Sequence, residues 1–253
     1  MLDAVAAIAA EAGRLALGRA SGEYKRWEKA PGHPVCDVDL AVDAFLRERL
    51  AKLIPDAGWL SEETVDEPSR LGKRQVWIVD PIDGTRDFLR GRSGWCVSVA
   101  LVEDGSPIVG VLDAPARSEV WAAQKGEGAT RNGVAISASQ RAALSGARMP
   151  IDALPKVDRD LVAVAKPNSI ALRICMVAAG EADLVATYKW GHQWDLAAAA
   201  LVASEAGAAV SDAVGRPLAF NTPGAAVFGV LACVPAIQVA ALARFGERAR
   251  AAL

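Results

Sequence analysis

Residues 77–88 read WIVDPIDGTRDF, and this stretch decides how the rest of the chain is read. Val76-Trp77-Ile78-Val79 is a short, unbroken apolar run of the kind that forms a strand buried on both faces. It meets Asp80 and Pro81, where the missing amide donor breaks the ladder, so the strand is expected to stop there. Asp83-Gly84-Thr85 has turn chemistry. Two carboxylates thus stand at the buried end of a central strand, a costly place for ionised acids without a compensating cation. In the D-P-I-D arrangement both carboxylates and the Ile82 carbonyl can face one side, an all-oxygen set suited to a hard cation such as Mg²⁺. Asp, Pro and Gly are also ordinary turn residues, so the same letters read locally as a turn and no more. Gly84 lets the backbone approach a ligand, and a helix starting near Thr85 would offer N–H groups to an anion.

Upstream of this stretch the period is helical. Leu2, Val5, Ile8, Ala9, Ala12, Leu15 and Ala16 form one stripe over residues 2–19. A charged, Gly/Pro-broken stretch from Ser21 to Pro34 precedes a second helix over 37–54, with Leu46, Leu50, Leu53 and Ile54 on one side and Asp37 or Asp39 as its N-terminal acid. Downstream, Trp95 to Val102 and Pro107 to Leu112 read as strands joined across Asp104-Gly105, and Glu119 to Ala123 extends the sheet. The second half alternates: strands at 161–165, 183–187, 208–210 and 226–231, helices at 169–180, 195–206 and from Pro235 onward. Together these elements predict an α+β fold in two halves, 1–140 with an antiparallel sheet and 141–253 with an α/β layer.

Composition sets the outer limits. The chain has 253 residues, 52% of them hydrophobic, enough for a sizeable core. A net charge of −2 gives no broad basic field, which argues against a nucleic-acid polymer as partner. The cysteines at 36, 96, 175 and 233 form neither a C-x-x-C pair nor a disulfide framework, and the apolar N-terminus is interrupted by Asp3, Glu11 and Arg14. A cytoplasmic protein with buried thiols and no membrane partner is expected.

Two further segments carry acids, WLSEET at 59–64 and HQWDLAAA at 192–199. Glu62 and Glu63 read alone as a solvated loop, and Asp195 as the cap of its helix. Gathered at one point, Glu62, Asp80, Asp83 and Asp195 would repel one another and a phosphate alike, unless two or three Mg²⁺ ions reversed the sign. With no His or Cys in the set, zinc is disfavoured.

The three segments, in this order and at these separations, resemble the magnesium-dependent, lithium-sensitive inositol monophosphatase superfamily. Its marks are an acidic pair after an apolar residue, a W-x-x-D-P-[IL]-D-G-T block, and a W-D that opens an Ala/Gly-rich helix. The resemblance covers nearly the whole chain and implies a layered αβαβα sandwich of the inositol monophosphatase/fructose-1,6-bisphosphatase type. It further implies a first metal on Glu62, Asp80 and the Ile82 carbonyl, and a second on Asp80, Asp83 and Asp195. A third ion would lie near Glu62. Gly84 and Thr85 amides would take the substrate phosphate, with Thr85, Asp39 and Glu62 activating water. Relatives usually carry a Thr two or three residues before that Asp; Cys36 stands there in this chain and is expected to weaken local polar support. A homodimer and lithium inhibition are implied by the resemblance alone.

For the substrate, a small phosphorylated metabolite, SEE at 61–63 and DGTRDF at 83–88 are closer to the 3′(2′),5′-bisphosphate nucleotidase branch than to inositol monophosphatases. Lys189 stands where the latter place an inositol-binding Glu, and a cation there suits a second anionic group. Ser169 is expected either to touch the leaving-group sugar or to cap its helix. Arg86, Arg90 and Arg92 form a basic edge, and Trp190 is a candidate stacking wall for a base. The expected activity is hydrolysis of adenosine 3′,5′-bisphosphate to AMP. The alternatives are an inositol, sugar or histidinol phosphate phosphatase, or a catalytically inactive binding relative.

Overall fold

Val5, Ile8, Ala9, Ala12 and Ala16 form the buried stripe of helix α1 (Leu2–Arg19), as their spacing predicts. The computed structural model describes residues 1–20, 22, 24–30 and 33–253, with backbone only for 29, 30, 33 and 34. Within the charged stretch Ser21–Pro34, residues 21, 23, 31 and 32 therefore lie outside the described residues, and β1 (Arg26–Ala30) pairs antiparallel with β2 (His33–Cys36). Helix α2 (Asp37–Leu53) follows and buries Val38, Val42, Leu46 and Leu50. Neither Asp37 nor Asp39 is its cap. Cys36 holds that position, and Asp39, three residues on, reaches back to the Cys36 amide.

Strands β3 (Gly58–Ser61), β4 (Gln75–Asp83), β5 (Cys96–Glu103), β6 (Ser106–Ala114), β7 (Glu119–Gln124), β8 (Ala129–Arg131) and β9 (Val134–Ala135) lie in that order in one seven-stranded sheet. A short helix, α3 (Thr85–Leu89), connects β4 to β5. β3 and β4 are parallel, and the later pairings are antiparallel. Side chains alternate across the sheet as the pleat requires. Trp77 and Val79 of β4 pack with α1 and α2, while Val76 and Ile78 face the other way. β4 does not stop at Asp80. It runs through Pro81 to Asp83, because a bulge between Asp80 and Asp83 takes the proline out of the ladder before pairing resumes at Asp83–Cys96.

Beyond a parallel pair, β10 (Arg148–Pro150) and β11 (Val162–Val164), come α4 (Ile170–Ala178), β12 (Leu184–His192), α5 (Ala197–Glu205), β13 (Ala209–Ser211) and β14 (Ala226–Cys233). The C-terminal segments α6 (Gln238–Ala241) and α7 (Glu247–Ala252) close the chain. Here β14 pairs antiparallel with both β12 and β13. β12 reaches His192, past the expected end at Thr187, by way of a register shift between Thr187 and Trp190. Helices α4 and α5 lie between the two sheets: α5 touches β5, β6, β7 and β13, and α4 touches β12 and β14. With α7 on β12, the layers run helix, sheet, helix, sheet, helix, the expected αβαβα order. Ala-rich α5 rests very close to the sheet, for a Cβ on Gly110 would come 2.8 Å from the Ala198 carbonyl oxygen. One apolar cluster includes Leu60, Ile78 and Leu112 as well as Ala199, Val202 and Leu231, so it draws on both sides of residue 140.

Candidate active site

The bulged end of β4, from Asp80 to Asp83, brings its carboxylates to the start of α5. Asp80, Asp83 and Asp195 each bring a carboxylate oxygen into a group whose members lie within 4.8 Å of one another. Asp80 Oδ1 accepts from the Ile82 amide at 3.0 Å, a local bond that folds the D-P-I-D segment. Asp83 Oδ2 accepts from the Ser169 hydroxyl at 2.5 Å and the Ala171 amide at 2.8 Å. Asp195 Oδ2 accepts from the His192 amide at 2.8 Å, and Leu196 holds the helix cap, so capping is not the role of Asp195. Glu62 follows β3, with its amide bonded to the Val79 carbonyl, and lines the same cavity of about 270 Å³ as these acids, Ile82, Gly84 and Thr85.

This arrangement is unfavourable for bare charge. Burial, then the Glu62, Asp83, Asp195 and Asp39 carboxylates, hold the Asp80 acid well above the usual carboxylate range. Burial and Asp83 do the same to Asp195. Asp83 is pushed up to about 6: burial outweighs the Ser169 and Ala171 hydrogen bonds and the Arg173 charge that pull it down. Buried like charges with oxygen-only donors are the chemistry a hard divalent cation resolves, so the residues present fit a metal.

Thr85 stands beside this cluster. Its hydroxyl oxygen lies 3.0 Å from the Ile82 carbonyl oxygen and 3.5 Å from Asp39 Oδ1, the two acceptors its single proton can serve. The other Asp39 oxygen, Oδ2, accepts from both the Cys36 amide and the Cys36 thiol at 2.9 Å. Local polar support for Asp39 is therefore present: the thiol supplies a donor where loss was expected. Cys36 is fully buried, and burial beside Asp39 pushes its thiol up to about 12, so it stays protonated and able to donate. Gly84 has φ +96°, and a Cβ there would meet the Gly94 carbonyl oxygen at 2.7 Å and the Ser169 amide at 3.0 Å. Only glycine fits.

Ser169 departs from the expectation of a substrate contact. It is fully buried, donates to Asp83, and caps α4 by accepting from the Leu172 amide at 2.9 Å. Lys189 is exposed and lines a neighbouring cavity of about 210 Å³ with Thr187, Trp190 and Val230. Arg173 and Asp195 line both cavities, so the two adjoin. Of the basic edge, Arg86 reaches the acid cavity, whereas Arg90 and Arg92 are exposed and are not among its lining residues. Sequence reasoning missed Arg173 and Asp43. Arg173 lies in an apolar helix, and its Nε and Nη2 donate to the Pro167 and Asn168 carbonyls at 2.8 and 2.6 Å. Asp43 accepts hydrogen bonds from Ser61 and Thr64, on either side of Glu62.

The αβαβα sandwich thus gathers acids from a strand end, a loop and the start of a helix at one mouth. The profile of the Inositol monophosphatase family matches residues 1–232. The chain belongs to that family of phosphatases. It is 32% identical to the 3′(2′),5′-bisphosphate nucleotidase CysQ of Escherichia coli strain K12 over 87% of this chain and 94% of that one. Against a histidinol-phosphatase of Mycobacterium tuberculosis it is 37% identical over 69% and 72% of the two chains. A Thermotoga maritima IMPase structure superposes with a TM-score of 0.85 at 25% identity, covering 99% of this chain and 98% of that one. Among the described residues, no helix is long and apolar enough to cross a membrane.

Proposed function

We propose that the protein is an Mg²⁺-dependent phosphomonoesterase that uses water as nucleophile, with adenosine 3′,5′-bisphosphate as substrate and AMP as product. Glu62, Asp80, Asp83, Asp195 and the Ile82 carbonyl would hold two or three Mg²⁺ ions. When bound, these lower the pKa of a water and offset the phosphate charge. Thr85 and Asp39 orient that water and accept its proton, with Cys36 fixing the far oxygen of Asp39. Glu62 helps aim it. Gly84 and Thr85 amides take the phosphate oxygens, with Gly84 fixed in a conformation and a packing against the Gly94 and Ser169 backbone that a side chain would disrupt. Ser169 acts indirectly, by holding Asp83.

The observation that carries the substrate is the pair of cations beside the acid cavity. Arg173 and Lys189 line the adjoining cavity next to Trp190, which is 65% exposed and tilted edge-on to Phe228. A leaving group with a second phosphate and a flat base matches two cations and an aromatic wall better than a neutral cyclitol does. The resemblance to CysQ over most of both chains supports the same reading. The test is a steady-state panel with Mg²⁺, comparing adenosine 3′,5′-bisphosphate, inositol 1-phosphate and histidinol phosphate. The bisphosphate should show the highest kcat/KM. A far higher value for either other substrate would overturn the assignment, and no phosphate release from any would favour a binding relative.

A further inference from the structure

Helix α2 carries a second buried acid, Asp43, one turn after Asp39 and on the same face. It has 6% of its surface exposed and is not in the acid cavity. Both its oxygens are engaged by the segment that carries Glu62: Oδ1 accepts from the Ser61 hydroxyl, and Oδ2 from the Thr64 hydroxyl at 2.6 Å. The segment is further tied by Glu63 N to Ser61 Oγ at 3.3 Å and by the Trp59 indole N–H to Thr64 Oγ1 at 3.3 Å. Hydrogen bonds to a carboxylate are the strong kind, and losing this acceptor strands the donor of the buried Ser61 hydroxyl and frees Thr64.

We infer that Asp43 is a positioning residue for Glu62. It clamps the chain immediately before and two residues after that acid, and so fixes where its carboxylate meets the metal set. Helix α2 then registers both sides of the site, Asp39 against Thr85 and Asp43 against the Glu62 loop. This rests on the proposed metal role of Glu62. The geometry leaves one oxygen per hydroxyl, so Asn, with one acceptor, should keep half the clamp and Ala none.

The test uses the intact chain and its Asp43→Asn, Asp43→Ala and Thr64→Val variants. Mn²⁺ uptake is read by calorimetric titration without substrate, and the Mg²⁺ dependence and substrate KM are read by phosphate release. Metal affinity should fall about 10-fold in Asp43→Ala and less in Asp43→Asn and Thr64→Val. KM at saturating Mg²⁺ should stay within about 2-fold. Adding Thr64→Val to Asp43→Ala should weaken metal binding no further, because both break one clamp. Parental Mn²⁺ affinity in Asp43→Ala, with only the melting temperature lowered, would overturn the inference. So would parental affinity in an Asp43→Asn chain chosen because Asp43→Ala failed to fold. If the parent releases no phosphate but Asp43→Ala still lowers Mn²⁺ affinity, the enzymatic reading falls while the clamp stands. A parent that takes up no Mn²⁺ would overturn both.

Discussion

Asp39 and Asp80 show how much depends on single atoms here. Asp39 Oδ2 receives both donors of Cys36, which leaves Oδ1 for Thr85. Cys36→Ser retains an O–H donor and should keep kcat within about 3-fold. Cys36→Ala removes the donor, and should lower kcat about 10-fold with little change in KM, and stability by about 1 kcal/mol; steady-state kinetics and urea titration check this. Asp80 sits buried among like charges, with the Ile82 amide donating to its Oδ1. Asp80→Asn should therefore melt higher than the parent in chelator, by about 2–4 °C for each kcal/mol of repulsion relieved. On the proposed metal role, Mg²⁺ should raise the parent's melting temperature in the same thermal scan, and Asp80→Asn should lose that rise. Asp80 was legible in the sequence because it ends an apolar run where charge is costly, whereas Asp39 read locally as a helix-terminal acid and gained a site role only through the resemblance to the family. Asp43 was not legible, since an acid one turn after another on a helix looks the same whether it faces water or a hydroxyl. Arg173 was hidden for the opposite reason: its guanidinium is satisfied by the carbonyls of Pro167 and Asn168, which sequence spacing does not reveal.

Among the elements, α5 matters most, because Asp195 stands just before it and its backbone lies against Gly110 of β6. Gly110→Val would force the helix off the sheet. Overpacking of this kind costs about 1–3 kcal/mol, and the displaced helix should carry Asp195 away from Asp80 and Asp83. Lower stability with weakened Mn²⁺ binding is the expected result, read by urea titration and calorimetry. The long helices and the strands from Val76 to Ala123 were legible from period and turn chemistry, as with the α1 stripe and the hairpin across Asp104-Gly105, whereas β1, β2, β3 and β10 are short and lie in stretches without a clear period. Two strand ends were missed as well. Pro81 and the Tyr188–Gly191 stretch look like terminators, but the bulges between Asp80 and Asp83 and between Thr187 and Trp190 absorb them and let pairing resume.

For the molecule as a whole, α1 meets the large sheet over an acid. Gly13 leaves room for Asp113 of β6, whose Oδ2 would lie 1.8 Å from a Cβ at position 13 and has no hydrogen-bond partner among the described residues. Burial pushes Asp113 from 3.8 up to about 6, with the Arg14 charge pulling the other way. A carboxyl raised on folding adds no penalty below the unfolded value, then costs stability as pH rises from about 4 to about 6. The penalty is on the order of 2–3 kcal/mol at most above pH 6. Asp113→Asn should thus leave stability near pH 4 unchanged and raise it at pH 7.5, in urea titrations at the two values. Since one apolar cluster joins residues from both halves, near- and far-ultraviolet circular dichroism should report the same transition.

The order of the acids along the chain has a consequence for synthesis. Glu62, Asp80 and Asp83 leave the ribosome more than a hundred residues before Asp195, and Ser169 and Ala171, which bind Asp83, also come late. Until those later residues emerge the acids of the large sheet are an incomplete set, with neither of the Asp83 donors available. The set closes only once α4 and α5 are in place. Tight cation capture would then mark a finished molecule, released from its template.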